Sequence, residues 1–310
     1  MSAADTSRVG LGTAALAGLY DETDVTTARA TVDRAWELGV RYFDTAPAYG
    51  SGLAEQRLGD ALRHRPRDEF LISTKVGRLL RPGEPSPMFK GAPRLAPLVD
   101  FSADGVRRSL EESLERLGLD RVDIAYVHDP EGHLDAAIDA LASLRDLVSE
   151  LGVGTNSVAT ALAFARHGAI DHLLIAGRYT PLDDSAGHVL LDLCATRGIK
   201  VTAAGVFNSG MLCGGTTYDY QAAPQRQILR TRRLAKLCAG YDVPLSALAL
   251  QFPLRNEAVT NILLGARSPD ELEQDLELLS HDIPDGLWQE PLVPRTGAAA
   301  GAAVAPISER

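Results

Sequence analysis

The chain has 310 residues, with 31 Lys or Arg against 41 Asp or Glu and a net charge of −10. That acidic balance argues against a phosphate-backbone-binding surface, which needs clustered basic side chains, and no nucleic-acid partner is expected. Hydrophobic residues at 45% and charged residues at 23% exclude an intrinsically disordered chain and fit a globular domain with a full core.

From the N-terminus, Met1–Thr6 is polar and lacks the apolar run of a signal peptide. Apolar runs that read as buried strands begin near residues 9, 40, 70, 124, 152, 172, 201 and 261. Helix-period segments follow them: Thr26–Leu38, Leu53–Arg63, Ser102–Leu117, Leu134–Glu150, Ala159–Arg166, Ala186–Arg197, Gln227–Tyr241 with Leu245–Leu254, and Pro269–Ser280. In Ser102–Leu117 the spacing of Val106, Leu110, Leu114 and Leu117 puts four apolar side chains on one face. Regular alternation of strand and helix implies a parallel sheet with right-handed crossovers. Eight such units predict an α/β fold, a (β/α)8 TIM barrel, as a single domain over residues 1–290.

Two stretches stand outside that pattern. Residues 79–100 carry five prolines after a strand, and so long a loop is expected to serve as a substrate lid. Residues 291–310 are rich in Ala, Gly and Pro, and are expected to form a disordered tail. The three cysteines (Cys194, Cys213 and Cys238) form no ligand-like cluster and are expected to be buried thiols in a reducing cytoplasm. No apolar run reaches the ~18 residues of a membrane span, so no membrane partner is expected. Nothing in the sequence specifies an oligomeric state.

Barrels of this kind carry their chemistry at the C-terminal ends of the strands. Asp44 ends the second strand, Tyr49 lies five residues later, Lys75 ends the third strand and His128 the fourth. A phenol ordinarily ionises near pH ~10, too high for proton exchange at neutral pH. An adjacent ammonium would lower that value, and a carboxylate would hold the ammonium in place. This makes Tyr49 the expected general acid/base, Lys75 its tuner, Asp44 the partner of Lys75, and His128 a donor to a substrate oxygen. Each also has a plainer role: a turn cap, a packed ring, a snorkelling lysine, a satisfied core histidine.

Together these residues resemble a known family. Phe43–Gly50 with Ala54-Glu55 and Leu58-Gly59, then Ser73–Gly77 and Val127–Pro130, are similar to the signatures of the aldo-keto reductase superfamily. The segments Ile175–Leu182 and Gly205–Leu212 resemble a narrower group. It contains L-fucose (D-threo-aldose) 1-dehydrogenases, L-galactose dehydrogenases and pyridoxal 4-dehydrogenase. The resemblance implies a (β/α)8 barrel, a nicotinamide cofactor held without a Rossmann domain, and a catalytic quartet at Asp44, Tyr49, Lys75 and His128. It also implies a small-molecule substrate: an aldose oxidised at C1 to its lactone, or alternatively pyridoxal or a general aldehyde. A nicotinamide-binding regulatory subunit is the alternative of another class.

By the same resemblance, Asn156 would contact the nicotinamide carboxamide. The loop from Gly205 through Phe207, Asn208, Ser209 and Gly210 to Leu212 would hold the diphosphate. The last strand–helix junction, Gly265 and Arg267 with Glu271, Gln274 and Asp275, would hold the adenosine. Glu271 stands where members that prefer NADP commonly carry a basic residue, so NAD is expected ahead of NADP. Glu271 also completes a capping box with Ser268, and Arg267 could pair with a 2′-phosphate from the other side. Two positions depart from the family pattern. Ala176 replaces a common Gln, and Ala204 replaces a common aromatic for which Phe207 is the nearest substitute.

Overall fold

A computed structural model describes residues 5–295. Eight parallel strands run through it: β1 (Val9–Gly12), β2 (Tyr42–Asp44), β3 (Leu71–Val76), β4 (Ile124–His128), β5 (Glu150–Thr155), β6 (His172–Ala176), β7 (Lys200–Ala204) and β8 (Val259–Leu264). Each pairs with the next, and β8 closes on β1 through Val9↔Ile262 to Leu11↔Leu264. The barrel fold read from the alternation is the fold observed.

Helices α1 (Val25–Glu37), α2 (Leu53–Leu62), α3 (Ala103–Leu117), α4 (Leu134–Leu141), α5 (Val158–His167), α6 (Asp192–Arg197), α7 (Gln225–Ala239), α8 (Leu245–Leu254) and α9 (Pro269–Leu279) surround the strands. Local chemistry sets their ends. The Ser102 hydroxyl accepts from Gly105 N at 3.0 Å to start α3, and Gly118 ends it at φ 62°. On α3, Val106, Leu110 and Leu117 are fully buried, each stabilising by about 1.5–3 kcal/mol. The signature Gly59 lets α2 touch α3, because a Cβ there would collide with the Leu117 carbonyl. Its neighbour Glu55 is also buried, accepting from Thr74 Oγ1 at 2.7 Å and from Arg116 Nε at 2.6 Å. This carboxylate ties α2 to β3 and α3.

Two helices differ from expectation. The segment expected as a helix over Leu134–Glu150 is α4 followed by a 3-10 turn, Ala142–Leu144. The helix cannot run on to Glu150, which starts β5 with its N–H bonded to the Asp123 carbonyl. Over Ala186–Arg197 a π-turn, Gly187–Leu191, precedes α6.

The long segment after β3 is ordered as a hairpin, with Arg78–Pro82 antiparallel to Leu95–Val99. Gly77 makes the exit from β3 at φ 91°, and a Cβ there would collide with the Phe101 ring. The distal part of the segment lies on the loop after β1, through Tyr20 N to the Met88 carbonyl and Lys90 N to Gly18 O. A second, two-residue hairpin pairs Thr217–Tyr218 with Gln221–Ala222. Past α9, Val293 is buried. Residues 296–310 of the expected tail lie outside the described residues. Cys194 and Cys238 are buried as expected, but Cys213 is exposed because its short 3-10 turn sits on the barrel rim. Among the described residues no helix is long and apolar enough to cross a membrane.

Candidate active site

The C-terminal ends of β2, β3 and β4 bring Asp44, Lys75 and His128 together, and the loop leaving β2 carries Tyr49 back over them. Lys75 is fully buried and donates to Asp44 Oδ2 at 2.6 Å and to the Thr45 carbonyl at 2.9 Å. Ser73 Oγ occupies the other carboxylate oxygen at 2.7 Å. The Lys75 ammonium lies 4.7 Å from the Tyr49 ring centre. His128 meets that ring edge-on, with centroids 6.0 Å apart at 88°. On its far side the ring stacks on Phe89 from the 78–99 hairpin, at 6.2 Å and 28°.

The electrostatics follow from burial. Desolvation would lower the Lys75 ammonium, but Asp44 and Tyr49 together outweigh it and hold the group above its ordinary value. Burial, then Lys75 and Arg78, hold His128 well below the usual imidazole range, so the ring is neutral at pH 7. A neutral ring keeps one N–H to donate; its Nδ1 is buried without a protein partner, and Nε2 lies 3.5 Å from Asp129 Oδ2. Tyr49 corrects the sequence expectation. Burial pushes its phenol up, and Lys75 opposes the rise without cancelling it. The lysine moderates a cost that desolvation imposes.

Asp44 and Tyr49 open onto a cleft of about 820 Å³ that runs across the barrel mouth. Of the expected cofactor residues, Asn156, Phe207, Asn208, Ser209, Gly210, Gly265, Arg267, Glu271, Gln274 and Asp275 all line it. Leu212 does not: it is buried and borders a smaller neighbouring cavity behind the loop. Ala176 and Ala204, the two family departures, also face the cleft.

Asn208 and Ser209 sit at φ 48° and 57°, the left-handed region, between glycines at φ 60° and 93°. Within the turn the Asn208 and Gly210 N–H groups bond back to the Gly205 and Phe207 carbonyls at 2.8 and 3.1 Å. The Asn208 side chain is committed to the protein: it accepts from Thr180 Oγ1 at 2.6 Å and donates to the Gly177 carbonyl at 2.9 Å. It shapes the loop rather than offering its amide to the cleft. A Cβ at Gly210 or Gly265 would meet nothing within 4 Å, so both glycines border open space.

At the far end Ser268 caps α9, accepting from Glu271 N at 3.2 Å. Glu271 reaches back to Arg267 N at 2.8 Å and pairs with its guanidinium at 3.1 Å. Arg267 also pairs with Asp21 at 2.5 Å, so two carboxylates neutralise this cation. Burial and Glu271 push the Asp275 carboxyl up to about 7.

The loop after β1 adds residues that no sequence motif marks. Tyr20 and Asp21 line the cleft, and Tyr20 meets Tyr220 across it at 6.5 Å between centroids. Asp219, beside Tyr220, is held by Arg178 through two bonds of 2.9 and 2.8 Å. No local pattern marks these residues, since only the barrel brings residues 20 and 220 together.

The profile of the aldo/keto reductase family matches residues 8–290. The chain belongs to that family. It is 41% identical to a D-threo-aldose 1-dehydrogenase from a Pseudomonas species, covering 91% of this chain and 92% of the other. It is 39% identical to a pyridoxal 4-dehydrogenase from Microbacterium luteolum (90% and 91%) and 30% identical to an L-galactose dehydrogenase from Arabidopsis thaliana (92% and 88%). Among solved structures, an aldo-keto reductase from Bacillus halodurans in its holo form superposes with a TM-score of 0.75 over 96% of this chain and 94% of that one. At 24% identity this neighbour supports the barrel fold alone.

Proposed function

We propose that this family member is a nicotinamide-dependent aldose 1-dehydrogenase, preferring NAD, that oxidises a sugar such as L-fucose or L-galactose at C1 to its lactone. The observation that carries the reading is Tyr49, set against a buried Lys75–Asp44 pair at the floor of a dinucleotide-sized cleft. The relatives named for sugar oxidation support the substrate class.

The residues present fit a dinucleotide. Open space over Gly210 and Gly265, the left-handed turn at Asn208 and Ser209, and the α9 N-terminus suit a diphosphate and the adenosine beyond it. Asn156 and Phe207 would flank the nicotinamide, Ser209 and Gly210 the diphosphate, and Glu271, Gln274 and Asp275 the adenosine. When bound, nicotinamide supplies a hydride acceptor. Arg267 is already paired with Asp21 and Glu271, so a 2′-phosphate would have to displace a carboxylate, which favours NAD.

Within this scheme Tyr49 takes the C1 hydroxyl proton as phenolate. Lys75 stabilises that phenolate, and Asp44 with the Thr45 carbonyl fixes Lys75. Neutral His128 donates to the substrate oxygen and orients it. Phe89 places the 78–99 hairpin against Tyr49, which supports its role as a lid. The test is the rate of NAD and NADP reduction over L-fucose, L-galactose, D-arabinose and pyridoxal. Sugar oxidation faster with NAD supports the reading. Pyridoxal turnover alone would replace it, and tight cofactor binding without any turnover would point to a regulatory subunit.

A further inference from the structure

Around the barrel mouth, Asp21, Asp44, Glu131, Asp219 and Glu271 each engage a protein donor. Asp21 and Glu271 hold Arg267, Asp44 holds Lys75 and Ser73, Glu131 accepts from the Thr155 hydroxyl, and Asp219 holds Arg178. Asp129 differs. Its Oδ2 lies 3.5 Å from His128 Nε2 and 3.6 Å from the Arg78 guanidinium, and neither separation is of hydrogen-bond length. The carboxylate keeps its acceptor positions open, and 42% of its side chain is exposed. The mechanism above does not use it.

The backbone aims this group. Asp129 follows His128, the last residue of β4, and takes φ 44°. Continued as a strand, its side chain would point away from the side that His128 occupies. The left-handed turn brings the carboxylate back beside the His128 ring, while the Asp129 N–H still bonds to the Gly154 carbonyl at 2.9 Å. Glycine adopts this conformation freely and aspartate at a cost, and residues held at such a cost gather where a ligand is handled. The His128 ring meets the Tyr49 ring edge-on. Its Nδ1 is buried, so Nε2 is the nitrogen left to donate to a substrate oxygen, and Asp129 stands beside that nitrogen. Arg78, the first residue of the Arg78–Pro82 strand, brings a cation to the same place and balances the carboxylate.

We propose that Asp129 is a specificity-determining residue, which accepts a hydrogen bond from the hydroxyl on the carbon next to the one oxidised. This deepens the dehydrogenase reading above and rests on it. With the C1 oxygen on His128 Nε2, the C2 hydroxyl of an aldose is the neighbouring donor. The two oxygens of a gauche diol lie side by side, much as Nε2 and Asp129 Oδ2 do. A hydroxyl bound to a carboxylate makes a charge-assisted bond, stronger than one between neutral groups. The class of substrate selected is a 2-hydroxy aldehyde in its cyclic hemiacetal form. A sugar lacking that hydroxyl leaves the carboxylate desolvated without a donor, which is how a polar site rejects a deoxy analogue.

Asp129→Gly removes the carboxylate and suits φ 44°; Asp129→Asn removes the charge at a backbone angle that asparagine tolerates. The assay is kcat/KM with NAD for L-fucose and for 2-deoxy-L-fucose, in wild type and both variants, arranged as a double cycle. In Asp129→Gly the value for L-fucose should fall about thirtyfold or more, and that for 2-deoxy-L-fucose should stay within about threefold of wild type. In Asp129→Asn the loss for L-fucose should exceed the loss for the deoxy sugar by about fivefold or more. An equal loss for both sugars would overturn the proposal, because it marks an effect through His128 or the fold. So would an unchanged value for L-fucose. Wild type that oxidises neither sugar defeats the dehydrogenase reading instead. Calorimetric titration of both sugars in the presence of NADH then decides the role of Asp129. L-fucose binding about tenfold or more tighter than its deoxy analogue in wild type, and equally in Asp129→Gly, supports it. Equal binding of the two in wild type, or none, overturns it.

Discussion

Replacing Lys75 by Met removes the cation while nearly preserving side-chain volume, and its consequences separate into two parts. The first concerns Tyr49. Taking the 4.7 Å from the ammonium to the ring centre as the charge separation, an effective dielectric of about 20 gives an attraction for a phenolate on the order of 3.5 kcal/mol. That corresponds to a loss of roughly several hundredfold in phenolate population, and kcat for oxidation should fall by about two to three powers of ten. The second part concerns Asp44, which would keep Ser73 but lose its ionic partner Lys75 while remaining buried. An orphaned buried carboxylate costs about 3–5 kcal/mol of stability.

The two effects can be told apart by adding Asp44→Asn. The double variant should regain most of the lost stability in calorimetry, because no buried charge is left unpaired, and it should regain no activity. Cofactor affinity, read by protein fluorescence quenching, should change little throughout, since Lys75 does not line the cleft. Turnover of the single Lys75→Met variant within about tenfold of wild type at neutral pH would refute the assignment of Lys75 as the group that stabilises the phenolate.

Because burial raises the Tyr49 phenol and the base form is the phenolate, kcat for oxidation should climb with pH through the alkaline range while kcat for reduction falls. Tyr49→Phe should abolish both limbs, as measured by NADH absorbance. At the adenosine end, Asp21→Asn with Glu271→Gln frees Arg267 while glutamine can still cap α9, so the ratio of kcat/KM for NADP to that for NAD should rise about tenfold or more. Gly59→Ala should destabilise the barrel by about 1–3 kcal/mol, because its methyl meets the Leu117 carbonyl, a backbone atom that cannot swing aside. Chemical denaturation reads that loss, and an unchanged midpoint would show that α2 and α3 can separate.

Much of this molecule was legible before any coordinate. Strands of a parallel barrel are buried on both faces, so each reads as a short apolar run, and the eight runs marked the eight strands. Function sits at strand ends by the geometry of the fold, so Asp44, Lys75 and His128 could be placed by where the runs stop. A helix end marked by a local device, such as the Ser268–Glu271 capping box before α9, was equally readable. The end of α4 was not, because apolar residues continue past Leu141 and only the start of β5 fixes where the helix must stop.

Other features depended on atoms far apart in sequence. Tyr20 faces Tyr220, and Asp21 holds Arg267, only because the barrel closes β1 against β8. The sequence supplied a tyrosine and a lysine but not the balance between them; desolvation depends on everything packed around the ring, and it set the direction of the Tyr49 shift. Likewise Tyr42, Ser73 and Tyr126 lie on three strands, and periodicity assigns each to a strand without saying that their hydroxyls share hydrogen bonds. The sequence by itself determined the order of strands and helices and the residues at the strand ends, since those follow from local periodicity and caps. Tertiary structure alone decided burial, charge balance and which polar groups share hydrogen bonds, because these are properties of distance through space.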